Sequence, residues 1–159
     1  NVYLFKNFID RAFFVEKLKY IERYDDAFKY LENNTKSYIK ESLIREDLDL
    51  KTYSGIGMIK FIQSYPNEII IETNSNDKQF LVLSEIYYPE GWKVFVNNQE
   101  SKIYEVNALL RGVELPEGKN IVKFKFSPSD VKLGSILSII STLIIILFLF
   151  SSLFKKNEK

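Results

Sequence analysis

Apolar and polar residues alternate in short runs over most of the chain, and the period is two. Gly55 to Ser64 places Ile56, Met58, Ile59, Phe61 and Ile62 among small or polar residues. Glu68 to Thr73 holds the β-branched run Ile69-Ile70-Ile71, and Phe80 to Ser84 reads as a short strand of the buried type. Trp92, Val94 and Val96 lie on one face of a further run, with Lys93 and Phe95 on the other. Asn97-Asn98 then predicts a tight hairpin, because Asn tolerates positive φ. Lys102 to Val106 is its expected return strand, and Leu109 to Leu115 is another strand. Pro116-Glu117-Gly118-Lys119 is a turn before the alternating Ile121 to Phe126.

Strands this short, punctuated this often, predict a mainly β protein built as an antiparallel, jelly-roll-like β-sandwich. The first 55 residues are more mixed. Ala12 to Ile21 alternates well enough for one strand. Asp25-Asp26 can cap a short helix through Ala27, Phe28, Tyr30 and Leu31 that ends near Asn33-Asn34. Tyr38 to Ile44 predicts a strand, and residues 45–54 a loop.

The pattern changes at Leu133. From there to Phe154, 22 residues carry no charge, and fifteen of them are Leu, Ile or Phe. That length matches a membrane-spanning helix, which needs about 20 mostly apolar residues. A core helix of a small domain would keep a polar face. Ser135, Ser138 and Thr142 follow helical spacing; they either form a small-residue face toward another helix or bond back to their own carbonyls. The expected partition is an extracytoplasmic β-sandwich over 1–130, a transmembrane helix over 131–154 and a cytoplasmic basic tail over 155–159. The tail carries Lys155, Lys156 and Lys159 against Glu158, which by the positive-inside rule belongs in the cytoplasm. Residues 1–132 then face the outer side of a bacterial cytoplasmic membrane, close to the bilayer. Residue 1 is Asn, so the chain is expected to be a fragment or a processed product.

Composition narrows the chemistry. The 159 residues include no Cys and no His, which removes disulfides, thiol nucleophiles and the commonest general base near neutral pH. A formal net charge of +1 gives no footprint for nucleic acid. Asp25-Asp26 and Glu46-Asp47-Asp49 are paired carboxylates, better suited to capping and solvated loops than to metal or acid–base work. Gly55-Ile56-Gly57 lacks the longer glycine pattern of a phosphate loop. Asn33-Asn34-Thr35 matches a glycosylation acceptor that arises easily by chance, and Arg11 is expected in a rim ion pair. No catalytic residue, cofactor or metal site is implied. The densest cluster is Tyr87-Tyr88-Pro89-Glu90-Gly91-Trp92. Its aromatics could stack on sugar rings, with Asn107 and Arg111 bonding hydroxyls, so Tyr87, Tyr88, Trp92, Asn107 and Arg111 are the candidate glycan contacts. The ordinary role of such residues is to fill a sandwich core.

The run from Leu81-Val82-Leu83-Ser84 through Tyr87-Tyr88-Pro89-Glu90-Gly91-Trp92-Lys93 to Val96-Asn97 resembles a signature near the C-terminus of the YfhO family. These are large bacterial multi-spanning membrane proteins. The similarity continues through Asn107, Arg111-Gly112-Val113, Leu115-Pro116-Glu117-Gly118-Lys119 and Phe126-Ser127-Pro128 to Gly134. Asn7 and Arg11-Ala12-Phe13-Phe14-Val15 resemble the segment that opens the family's C-terminal external region. Glu90 splits the usual Pro-Gly-Trp, Asp10 stands where Pro is common, and Asn120 where His is frequent. The resemblance implies a GT-C-type, lipid-linked-sugar glycosyltransferase architecture that decorates cell-envelope polymers. Its acidic catalytic residue would lie in an early external loop outside this chain, so the fragment alone is no enzyme. The implied partners are the lipid bilayer, other transmembrane helices of the parent protein and envelope glycan. A stand-alone anchored glycan-binding module and a purely structural interaction domain are the alternatives.

Overall fold

A computed structural model of the chain describes residues 10–34, 40–48 and 52–156. Asn7, Thr35, Tyr38, Ile39, Asp49 and residues 157–159, which enter the sequence reading above, lie outside them. The chain divides into two compact units, one ending at Phe126 and one starting at Ser127.

The first unit is mainly β. Its strands are β1 (Ala12–Phe14), β2 (Lys17–Tyr20), β3 (Glu41–Ile44), β4 (Met58–Tyr65), β5 (Glu68–Ser75), β6 (Gln79–Ile86), β7 (Trp92–Val96), β8 (Gln99–Ser101), β9 (Tyr104–Val106), β10 (Leu110–Leu115) and β11 (Gly118–Phe126). They form a six-stranded sheet in the order β1-β6-β10-β9-β3-β2 and a five-stranded sheet in the order β4-β5-β11-β7-β8. All pairings are antiparallel except β2 with β3. The mainly β, antiparallel-rich class is therefore as expected. The strands divide six and five among the described residues, rather than into the eight of a jelly roll.

Two predicted strands are corrected. Ala12 to Ile21 is not one strand but two, at opposite edges of the six-stranded sheet. Val15 and Glu16 alone join them. Three Cα steps of 3.8 Å let Phe14 and Lys17 lie at most about 11 Å apart, whereas six flat strands at ~4.8 Å spacing would spread their edges about 24 Å. The sheet therefore curls until its edges nearly meet. The hydrogen bonds follow the crossing: Val15 N donates to Phe80 O on β6 (3.2 Å), and Glu16 N donates to Lys40 O just before β3 (2.9 Å). Likewise, Lys102 to Val106 is not the return strand of the hairpin. β8 takes that role, pairing Val96 with Gln99 across Asn97 and Asn98 at φ 52° and 68°. Both positive values suit a two-residue type I′ turn. β9 has already crossed to the other sheet.

Curling creates two cores. One lies between the sheets and collects Phe14, Leu81, Leu83, Val94, Val113, Val122 and Phe124. The other lies within the curl and collects Phe13, Val15, Leu18, Tyr53, Phe80, Val82 and Val106. β6 is their common wall, so successive residues feed different cores and its stretch from Phe80 to Leu83 is apolar, as a strand buried on both sides must be. Gly112 on β10 lets the wall close: a Cβ there would lie 2.4 Å from Phe80 Cε1 and 2.7 Å from Val106 Cγ2.

Among its described residues this unit has one helix, α1 (Tyr24–Asn33). Asp25 and Asp26 sit in its first turn, where their charge complements the helix dipole; no side-chain hydrogen bond caps it from Arg23. Ala27 is its buried contact. Tyr30 OH donates to Glu41 Oε1 on β3 (2.5 Å).

The second unit is α2 (Ser129–Lys156), so the apolar run is helical. Ser135, Ser141 and Thr142 hydroxyls donate to carbonyls four residues back, each at 2.8 Å. Its apolar side chains are described from Leu133 to Phe148, sixteen residues that rise about 24 Å against a hydrocarbon core of ~30 Å. Among the described residues no helix is long and apolar enough to cross a membrane.

Candidate functional site

The sequence candidates separate into two places. β10 alternates, so Arg111 shares the phase of Val113 and Leu115 and points toward the inter-sheet core. It is 3% exposed. Its Cζ lies 4.1 Å over the Trp92 ring and 5.8 Å from that of Phe124. Burial holds its pKa below the ordinary guanidinium value; Glu85, 3.9 Å from Nη2, works the other way, and nearby Arg11 adds to the lowering. Nε and Nη1 have no hydrogen-bond partner among the described residues, while stacking on Trp92 supplies about 2 kcal/mol in a desolvated setting. Glu85 is held mainly by Arg11, whose Nη2 stands 2.7 Å from Oε1. Arg11 Nη1 also reaches Ser64 Oγ at 2.5 Å. The expected rim ion pair of Arg11 is thus present.

Trp92 packs on Phe126 at 5.3 Å between centroids, and Tyr88 approaches the same ring at 6.5 Å. Gly91 permits this, because a Cβ there would fall 2.2 Å from Phe126 Cε2. Tyr88 is 50% exposed. Tyr87 is half-buried, its N–H donates to Leu109 O (2.7 Å), and burial, then Glu105, raises its phenol pKa. Asn107 lies elsewhere. At φ 51° it closes the β9–β10 turn, accepts from Leu43 N through Oδ1 (2.7 Å) and donates through Nδ2 to Ser42 Oγ (3.2 Å). It clips β3 to the curl. The structure brings Tyr88, Trp92 and Arg111 around the Phe124–Phe126 end of β11, and leaves Asn107 apart. Of the carboxylates, Asp25 faces Arg23 at 3.7 Å and Glu46 pairs with Lys102.

A different set converges at the open end of the curl. A cavity of about 560 Å³ is lined there by Tyr53, Tyr104, Gln79, Glu114, Asp47 and Lys78, among others. Tyr53 OH donates to Glu114 Oε1 (2.8 Å); burial first, then that bond, pushes its pKa well up, so the phenol stays neutral. Tyr53 and Tyr104 both pack on Phe80, at 5.9 and 5.7 Å. Gln79 is fully buried and donates to Ser54 Oγ (2.5 Å) and Ile56 O (3.2 Å), but its Oε1 has no partner among the described residues. These residues come from four separate segments, so no motif announced them. The available signal was Gln79, a polar residue heading an apolar run. A wider cleft of about 730 Å³ opens between the edge strands β1 and β4, with Asp10 and the already engaged Arg11 as its charged wall.

This sandwich, with its Trp92–Arg111 stack and the β7–β8 hairpin, coincides with a known family. The model described as "Bacterial membrane protein YfhO" matches residues 57–138, from the start of β4 into α2. The chain belongs to the YfhO family. Neither a curated protein nor a solved structure matches it. The YfhO match contains Gln79, Trp92, Tyr104, Asn107, Arg111 and Glu114, while Tyr53 precedes it. As a member of a bacterial membrane protein family, the chain is membrane-associated.

Proposed function

We propose that this chain is the extracytoplasmic β domain of a YfhO-type membrane protein, anchored by α2 and accessory to glycosyl transfer onto cell-envelope polymers. The catalytic part lies outside the chain. The observation that carries the reading is the helix surface. Leu143 to Phe148 are six consecutive exposed apolar residues, which encircle a helix more than once at 3.6 per turn. No polar face remains to meet water, so hydrocarbon is the medium such a helix suits. The uncharged sequence runs on to Phe154; 22 residues rise about 33 Å, enough for a bilayer core. The lysine-rich tail supports a cytoplasmic C-terminus. Glycosyl transfer is supported by the family resemblance described above.

The absence of cysteine makes the topology directly testable, because an introduced thiol reports alone. Glu117→Cys and Lys159→Cys are placed singly in the full chain in a bacterial membrane and exposed to a membrane-impermeant maleimide. Glu117→Cys should label on intact cells and Lys159→Cys only after permeabilisation. Equal labelling of both, the reverse order, or release of the chain by alkaline carbonate would overturn the anchored, outward-facing reading. The accessory role is read from the sugar content of envelope polymers in cells whose full-length protein lacks residues 10–126 but retains the helix. Unchanged sugar content would overturn it.

A further inference from the structure

We propose that the Phe126 end of the β unit seats in the headgroup region of the bilayer, with Tyr65, Ile86, Tyr88 and Leu109 as the side chains that enter it. Antiparallel strands place successive turns at alternate ends. Three turns are tied together at this end. Phe126 N donates to Asn67 O in the β4–β5 turn (2.9 Å), and Tyr88 of the β6–β7 turn lies 6.5 Å from the Phe126 ring. Tyr87 N donates to Leu109 O in the β9–β10 turn (2.7 Å). The apolar side chains they present outward range from 50% exposed at Tyr88 to 65% at Tyr65. The opposite end carries Asn76-Asp77-Lys78, Asn97-Asn98 and Pro116-Glu117, the turns after β5, β7 and β10. Those turns are polar. Ile56 and Met58 are exposed at that end too, but where the chain enters β4 rather than on a turn.

The chemistry of this rim selects a lipid interface. Tyr65 and Tyr88 each combine an apolar ring with a polar tip, the combination that favours the boundary between headgroups and hydrocarbon. Glu90 is exposed in the same β6–β7 turn; a carboxylate resists entry into hydrocarbon, which keeps the seat shallow. Behind the rim, Lys93 on β7 and Lys125 on β11 are direct cross-strand partners and both are exposed. Two cations side by side suit lipid phosphates, although Lys93 also pairs with Glu100 at 2.9 Å. Connectivity points the same way. β11 ends at Phe126 and α2 begins at Ser129, so the chain leaves the β unit from this end. The inference rests on the proposed function only for α2 as the membrane anchor.

The test is fluorescence of the full chain in vesicles of phosphatidylcholine and phosphatidylglycerol, some doped with lipid carrying a nitroxide on the headgroup and some with a nitroxide deep in the acyl chain. Tyr65→Cys, Tyr88→Cys and Leu109→Cys, each labelled with an environment-sensitive dye, report the rim; Ile56→Cys and Glu117→Cys report the far end. All five side chains are exposed, so each variant should melt like the parent chain. The nine residues of β11 span about 30 Å, which separates the two ends well. The three rim labels should lose most of their emission to the headgroup nitroxide and shift to the blue as the dye leaves water. The two far-end labels should do neither. A rim label that does not respond, an equal response at both ends, or quenching without the blue shift (a rim that hovers in water) would overturn the assignment. A silent rim is also the result expected if these side chains serve a protein or glycan, which the vesicles lack. Leu143→Cys on α2 reports the anchor separately through the acyl-chain nitroxide. Leu143→Cys quenched beside a silent rim defeats this proposal alone, and the reverse defeats the anchor alone.

Discussion

Ala108 sits at φ 61° beside Asn107 at 51°. An L-residue other than Gly or Asn pays ~1–2 kcal/mol for that conformation. Ala108→Gly should therefore stabilise the chain by about 0.5–1 kcal/mol, read as a higher urea midpoint, whereas Asn107→Gly should destabilise it by removing the clip to Ser42 and Leu43. The buried charges make a second residue-scale case. Arg111→Met removes two unpaired nitrogens and leaves Glu85 with Arg11, so stability should change by no more than about 1 kcal/mol. Glu85→Gln instead strands Arg111, and should cost about 2 kcal/mol, discounted from the range for fully buried pairs because Glu85 is partly exposed. Chemical denaturation of the two variants, side by side, checks the order. Its place on the strand pair that follows the aromatic cluster marked Arg111 as a candidate contact. It could not show that Trp92, nineteen positions earlier, would cover the guanidinium.

At the scale of elements, the sequence reading succeeded where alternation and turn chemistry agreed. β7 appears with the predicted boundaries, and Asn97-Asn98 makes the predicted turn. Asn97 is further fixed by accepting from Ile121 N (2.9 Å) and donating to Asn120 Oδ1 (2.8 Å). The reading failed where the chain changes partner without a Gly or Pro to signal it. Alternation continues through Val15-Glu16 and through Lys102-Ile103, so period alone could not reveal that β1 and β2, or β8 and β9, belong to different edges or sheets. The wall between the two cores gives the corresponding prediction. Gly112→Ala places a methyl against Phe80 and Val106 and should cost about 1–3 kcal/mol, and Phe80→Leu in the same chain should recover part of the loss. Additive losses in a double-mutant comparison would contradict the shared-space account.

Across the whole molecule, pH dependence should be visible through Glu41. Its pKa is lowered, chiefly by the hydrogen bond from Tyr30 and then by that from Lys17, from an unfolded-like value of 4.5. A folded value below the unfolded one means that the unfolded chain binds more protons in between. The contribution of Glu41 is therefore complete above about pH 5 and disappears as pH falls through the folded value. Tyr30→Phe should return the Glu41 titration, followed by carboxyl NMR shifts, toward 4.5 and flatten this part of the acid profile. The cavity lined by Tyr53, Gln79, Tyr104 and Glu114 belongs to this scale as well. Its lining is assembled by the order of strands in the curled six-stranded sheet, a property of topology that no local window of sequence contains.

The curl also sets a timetable for synthesis. Ala12 pairs with Leu83, so the apolar strand Ala12–Phe14 has no partner until the ribosome has added 71 more residues. At ~5–20 residues per second that is roughly 4–14 s. During that interval the apolar Ala-Phe-Phe-Val stretch lacks its sheet partner, and slowed elongation between residues 15 and 83 should lengthen its exposure to aggregation.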